Sequence, residues 1–98
     1  MLKIGKCTLT TTDPAASPVV PAIGKTAVVF TTIISNAEEA AASVTITVDG
    51  HAIVVPVPAG DTVWQTYKYV VSAAAPLTVA VTEGTATISI HYDDGGAA

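Results

Sequence analysis

The chain is poor in positive charge. Of its 98 residues four are lysine and none is arginine, against eight aspartates and glutamates, so the net charge is −4. A nucleic-acid surface needs clustered cations that displace the counterions of the phosphates, and anionic membranes attract the same kind of cluster. The sequence therefore predicts a protein that binds neither nucleic acid nor membrane directly.

Residues that build reactive or metal-binding sites are also scarce. Cys7 is the only cysteine, which excludes an internal disulfide, and His51 and His91 are the only histidines. Zinc needs three or four ligands, and neither a glycine-rich phosphate loop nor a nucleophile elbow is present. We therefore expect no catalytic residues, no metal, no cofactor and no enzymatic activity. Asp93 and Asp94 lack a calcium-loop spacing and are interpreted as a solvated tail.

Long apolar runs are missing as well. None approaches the ~18 residues that span a bilayer. The lysines at positions 3 and 6 are not followed by the apolar segment of a signal peptide. These features predict synthesis and folding in a reducing cytoplasm. Cys7 is expected to be a small buried hydrophobic residue, with an intermolecular disulfide or a reactive thiol as the alternative.

Alternating Val, Ile and Thr dominate the rest of the chain, and β-branched residues favour strands. Residues 44–48 and 51–55 alternate on either side of Asp49-Gly50, a pair that suits a type I′ turn because Gly tolerates positive φ. A two-residue loop would pair Val48 with His51 and Val44 with Val55. The apolar residues of both strands then share one face, so this segment predicts a β-hairpin.

A second hairpin is predicted by the same reasoning over residues 77–90. Residues 77–82 and 85–90 alternate around Glu83-Gly84. The two-residue loop would pair Val79 with Ile88 and leave a Thr-covered opposite face. A slip of one residue would expose the whole apolar set to water, so the alternation favours this register.

The remaining segments complete an all-β fold. Strands are expected at residues 6–11, 27–35 and 62–71, and residues 36–43 are interpreted as a loop with room for one helical turn after Asn36. The predicted architecture is an antiparallel β-sandwich of Ig-like or jelly-roll type with six to eight strands. We divide it into an N-terminal strand and Pro-containing arm (1–26), a sandwich core (27–92) and an acidic Gly-Ala tail (93–98).

Aromatic and proline residues are the candidate protein contacts. Trp64 alternates with Tyr67 and Tyr69 along one strand, so it points away from both, and a three-ring sugar platform is not expected there. Two alternatives remain open: a core tryptophan with half-buried tyrosines, or an aromatic contact patch for a protein or a sugar. The prolines of the arm fix φ and cannot sit inside a sheet. The candidates are Trp64, Tyr67, Tyr69, Pro14, Pro18 and Pro21.

A pattern runs through residues 27–92. An apolar strand ends in Ser35-Asn36, a loop leads to Val-Thr-Ile-Thr-Val, and Val57-Pro58-Ala59-Gly60-Asp61-Thr62 precedes a closing segment of alternating Val/Thr and Ile/Ser. In this pattern the chain resembles small β-sandwich structural proteins of tailed-phage virions.

That resemblance implies a function through whole surfaces. It implies a capsid decoration protein of the virion, assembled in the host cytoplasm. Such a protein would bind itself as a homotrimer or other homo-oligomer, and would bind the major capsid protein or other virion subunits. The arm or the hairpin tips would rest on the capsid. The alternatives are a tail or neck component of the virion, or a small carbohydrate-binding module for host recognition.

Overall fold

Eight strands form the protein in the computed structural model, which describes residues 2–21, 23–66 and 68–97, with side chains described as far as Asp93. They are β1 (Leu2–Thr10), β2 (Lys25–Ser35), β3 (Ala42–Val48), β4 (His51–Val57), β5 (Thr62–Gln65), β6 (Tyr69–Ser72), β7 (Leu77–Glu83) and β8 (Thr85–Ala97). All pairs are antiparallel, and these residues contain no helix. The prediction of an all-β fold is confirmed. Over the same residues there is accordingly no helix able to cross a membrane.

The strands form two sheets. In the larger sheet β8 lies between β1 and β2, and both β5 and β6 pair with the other edge of β2; the smaller sheet has the order β4-β3-β7. Each strand turns alternate residues inward, as the period of two in a strand requires. The inward residues of both sheets form one apolar core, built largely from Val and Ile: Leu9, Val19, Ala27, Val29, Ile34, Ala42, Val44, Ile46, Val55, Val57, Val71, Leu77, Val79, Val81, Ala86, Ile88 and Ile90.

The hairpin of β3 and β4 is confirmed in its predicted register. Val44 lies opposite Val55, and Val48 lies opposite His51. Asp49 and Gly50 both have positive φ, at 49° and 79°, as a type I′ turn requires.

The second predicted hairpin is wrong. β7 pairs with β3, with Val79 opposite Ile46, whereas β8 pairs with β1 and β2, with Ile88 opposite Cys7 and Ile34. Glu83-Gly84 therefore carries the chain from one sheet to the other. Alternation determines which residues face the core, and that set is the same whether the two strands pair or face each other across it.

Three boundaries also differ from the prediction. The first strand begins at Leu2 rather than at residue 6, and the single strand expected over 62–71 is divided into β5 and β6. The backbone of the tail, which is predicted from the sequence to be solvated, continues β8. Lys25 pairs with Ala97 and Thr26 with Gly96, because β2 begins two residues earlier than predicted and offers a partner edge.

Residues 16–21 of the arm pack against the protein's own sheets. Ala16 forms an isolated bridge with Val79: the Ala16 N–H donates to the Val79 carbonyl at 2.9 Å, and the Val79 N–H donates back at 2.8 Å. Val19 and Pro21 are buried. The arm thus covers the edge of β7 that β3 leaves free, and it contributes to the core.

Gly5 in β1 allows this close packing. A Cβ atom at Gly5 would collide with the carbonyl oxygen of Pro18 in the arm. We expect Gly5→Ala to displace the arm and lower the free energy of unfolding by about 1–3 kcal/mol, the usual range for overpacking. Urea denaturation checks this, with Ser17→Ala, an exposed residue of the arm next to Pro18, as a control that stays within about 0.5 kcal/mol of wild type. Equal midpoints for the two variants would contradict the packing argument.

Candidate functional site

Four loops meet at one end of the molecule. Register places the end of β1 beside the start of β8 (Thr10 opposite Thr85), and the end of β2 beside the start of β5 (Ser35 opposite Thr62). The ends of β4 and β7 meet the start of β3 at the same level. These loops and their borders carry five of the eight acidic residues, and all four lysines lie elsewhere. We call this the acidic end: Asp13, Glu38, Glu39, Asp61 and Glu83.

A buried asparagine holds the loop between β2 and β3, residues 36–41. Asn36 is 1% exposed, and its Nδ2 donates to the carbonyls of Ala40 at 2.8 Å and of Val57 and Pro58 at 3.3 Å. Its Oδ1 accepts the backbone N–H of Glu38 at 3.0 Å. The helical turn that the sequence allowed after Asn36 is absent from this described loop, because the side chain satisfies the backbone in a turn instead.

Backbone hydrogen bonds join this loop to the next. The Asn36 N–H donates to the Asp61 carbonyl at 2.9 Å, and the Gly60 N–H donates to the Glu38 carbonyl at 3.0 Å. The backbone that carries Glu38 and Asp61 is therefore tied at two points. An open depression of about 500 Å³ lies beside it, lined by Ala41, Ala42, Ser43, Pro56, Val57, Pro58 and Glu83.

The outer face of the larger sheet carries an unusual number of apolar side chains. Ile33 lies opposite Trp64, and Val28 lies opposite Val70. Trp64 and Val70 are 66% and 65% exposed, and Phe30 is 40% exposed at an irregularity of β2. We call this surface the apolar face: Val28, Phe30, Ile33, Trp64 and Val70.

The outer face of the smaller sheet is different. Its side chains are small and uncharged, and Val54, 64% exposed, is its large hydrophobic residue. The outward positions on β3, β4 and β7 are Ser43, Thr45, Thr47, Ala52, Val54, Pro56, Thr78, Ala80 and Thr82. This face therefore resembles the apolar face in lacking charge, but it has no aromatic ring.

The aromatic contact candidates separate in the structure. Trp64 points outward and is not a core residue, which favours the contact interpretation over the core interpretation. Tyr69 and Tyr92 turn inward and pack against the core, so they do not share the surface of Trp64. Tyr67 lies outside the described residues. In the structure Trp64 lies beside aliphatic residues of a neighbouring strand. The alternation of residues along a single strand could not predict these neighbours.

The prolines of the arm have different environments. Pro14 is exposed, Pro18 is half-buried above Gly5, and Pro21 is buried. Pro21 therefore packs within its own protomer and offers no surface to a partner. Pro14 remains accessible.

The titratable candidates do not assemble into a reactive site. Cys7 packs partly against the core, and burial raises the pKa of its thiol, which lowers the reactive thiolate fraction. His51 is exposed at a hairpin tip, and His91 lies on β8. Among the described side chains no three His, Cys, Asp or Glu come together to hold a metal. That the chain is not an enzyme stays a prediction.

Comparison with known proteins gives one informative likeness. Neither a scan of protein-family models nor a search of curated proteins finds a match. Among solved structures, the chain is similar to the crystal structure of the Drosophila NLP core, with a TM-score of 0.68 at 15% sequence identity. The match covers 98% of this chain and 99% of that chain, and that structure is described as informative on pentamer formation and histone binding. At this identity the likeness establishes a shared fold.

The virion interpretation is corrected by this finding. The fold is shared end to end with the core of a protein described for pentamer formation and histone binding. The assignment as a capsid decoration, tail or neck protein is therefore wrong, and so is the virion location. The glycan-binding alternative is dropped with them. The resemblance depended on alternating Val/Thr strands and a Pro-Ala-Gly-Asp turn, which antiparallel two-sheet proteins share for reasons of packing. The major capsid protein has no support as a partner.

Proposed function

We propose that the chain is a jelly-roll β-sandwich subunit of a homopentamer that binds a basic protein of the histone class. The end-to-end likeness to the NLP core carries this proposal. The resemblance implied a homotrimer or other homo-oligomer, and a pentamer is one of those other homo-oligomers. The chain would act by binding and shielding its partner, without chemistry of its own.

The acidic end supports a basic partner. Five carboxylates, two of them on backbone that is tied between neighbouring loops, give each protomer a negative end, and every lysine lies elsewhere. A closed ring turns equivalent surfaces of all its subunits in the same direction, so the acidic ends would lie together on one side. Clustered charge of one sign raises the local concentration and association rate of an oppositely charged partner.

The first test is the mass in solution. Light scattering over a concentration series should give about 49 kDa, five times the 9.8 kDa of one chain, with no change on dilution through the micromolar range. A monomer at every concentration, or a stable trimer, would contradict the pentamer.

The second test addresses the partner. Purified core histones should bind the wild-type protein, and the affinity should fall as salt rises because exposed charges are screened. Glu39→Gln should weaken binding several-fold, whereas Asp49→Asn, which removes the same charge at the opposite end, should leave binding unchanged. Equal effects of the two variants would show that net charge alone matters, and the acidic end would lose its role.

A further inference from the structure

We infer that the apolar face of the larger sheet is where the next copy of this chain binds. The inference rests on the proposed self-association and specifies the surface that performs it. The surface is built from Val28, Phe30, Ile33, Trp64 and Val70 on three neighbouring strands.

The exposed area is of the size that an interface requires. With Leu2 and Ile4, which are 67% and 62% exposed on the same side of β1, the apolar residues present roughly 600 Å², against the ~800 Å² per partner of a stable interface. Trp64 and Ile33 lie directly opposite each other, and Val28 and Val70 do the same. Their backbones are fixed by strand pairing, so little ordering is needed on binding.

The distribution of charge favours a second copy of this chain as the protein that binds the apolar face. Each copy carries a net charge of −4, so two copies repel except where the surface is least negative. Lys6 and Lys68 project from the same side of the sheet, and the Lys68 Nζ lies 6.0 Å from the centre of the Phe30 ring. Asp93 is the acidic side chain described on this side, and the five residues of the acidic end lie outside it. A cationic partner is steered to the acidic end, whereas an acidic copy is steered here.

A matched pair of substitutions tests the surface. Val70 on the apolar face and Val54 on the opposite sheet are equally exposed, at 65% and 64%. Val70→Lys should raise the dissociation constant of the assembly at least roughly a hundredfold, because it places an unpaired charge in a dry contact. Val54→Lys should leave the constant within threefold of wild type. Both changes reduce the net negative charge, so neither loses association through added repulsion.

Trp64 supplies an independent readout, since it is the single tryptophan. In the assembly its emission should shift to the blue and resist quenching by acrylamide, and dilution or Val70→Lys should reverse both changes. An assembly in which Trp64 remains quenchable, or which Val54→Lys breaks and Val70→Lys does not, would overturn the inference while the pentamer stands. A wild-type protein that is monomeric throughout would instead remove the proposed function itself. Quenching that falls only when core histones are added would assign the face to the partner and also overturn the inference.

Discussion

Replacing Asn36 with leucine is expected to lower the free energy of unfolding by about 3 kcal/mol or more. Leucine has the same branching at Cγ but no hydrogen-bonding group, and its methyl groups need more room than the planar amide. The carbonyls of Ala40, Val57 and Pro58 would lose their shared donor, and the Glu38 N–H would lose its acceptor. Each buried polar group that is left without a partner has lost its hydrogen bond to water, which costs about 1–3 kcal/mol of stability. If the loop opened to water, the loss of stability would be smaller.

Thermal and chemical denaturation at one protein concentration measure this effect, since assembly makes stability depend on concentration. A loss of this size lowers the melting temperature of a domain of ~100 residues by roughly 12 °C or more. Glu39→Gln, three residues along the same loop, is the control and should change stability by less than about 0.5 kcal/mol. If Asn36→Leu melted with the control, water would be replacing the asparagine and the loop would not depend on it.

Alternation along the sequence predicted inward and outward residues better than it predicted neighbours. Val79 and Ile88 are both buried, as expected, yet they lie in different sheets. Burial of an alternating strand is a local property, because it requires only that one face be dry. The choice of partner depends on the arrangement of all eight strands, and a single segment does not contain that information.

The candidate site shows the same difference between the direction of a side chain, which is a local property, and its neighbours, which depend on the topology. Alternation placed Trp64 and Val63 on opposite faces but left open which of them faces the core. The structure packs Val63 on the core and turns Trp64 outward. That Trp64 meets Ile33 and that Val70 meets Val28 follows from two strands pairing with one edge of β2, which no local pattern signals. The acidic end likewise collects residues as distant in sequence as Asp13 and Glu83. These acids lie in separate segments of the sequence, and only the topology of the two sheets brings the segments together.

Gly84→Ala is expected to destabilise the protein by about 3 kcal/mol, whereas Gly50→Ala should lose about 1 kcal/mol. Both glycines follow an acidic residue and have positive φ, at 70° and 79°, so both substitutions incur the strain of a left-handed backbone. They differ in their surroundings. A Cβ atom at Gly50 meets nothing within 4 Å, but at Gly84 it would lie 2.6 Å from the carbonyl oxygen of Ala41 and 3.1 Å from the Cα of Ala42.

The two nearest neighbours are backbone atoms, so they cannot move aside as a flexible side chain would. Ala42 begins β3, and the preceding Ala40 carbonyl accepts the Asn36 amide. The predicted hairpin would have made Gly84 an open turn like Gly50, and the two substitutions would then be equivalent. The observed crossing between sheets makes Gly84 the more sensitive position by about 2 kcal/mol. Urea unfolding of the two variants therefore measures the topology directly. Equal losses would support a β7–β8 hairpin, and a larger loss at Gly84 would support the passage of the chain from one sheet to the other.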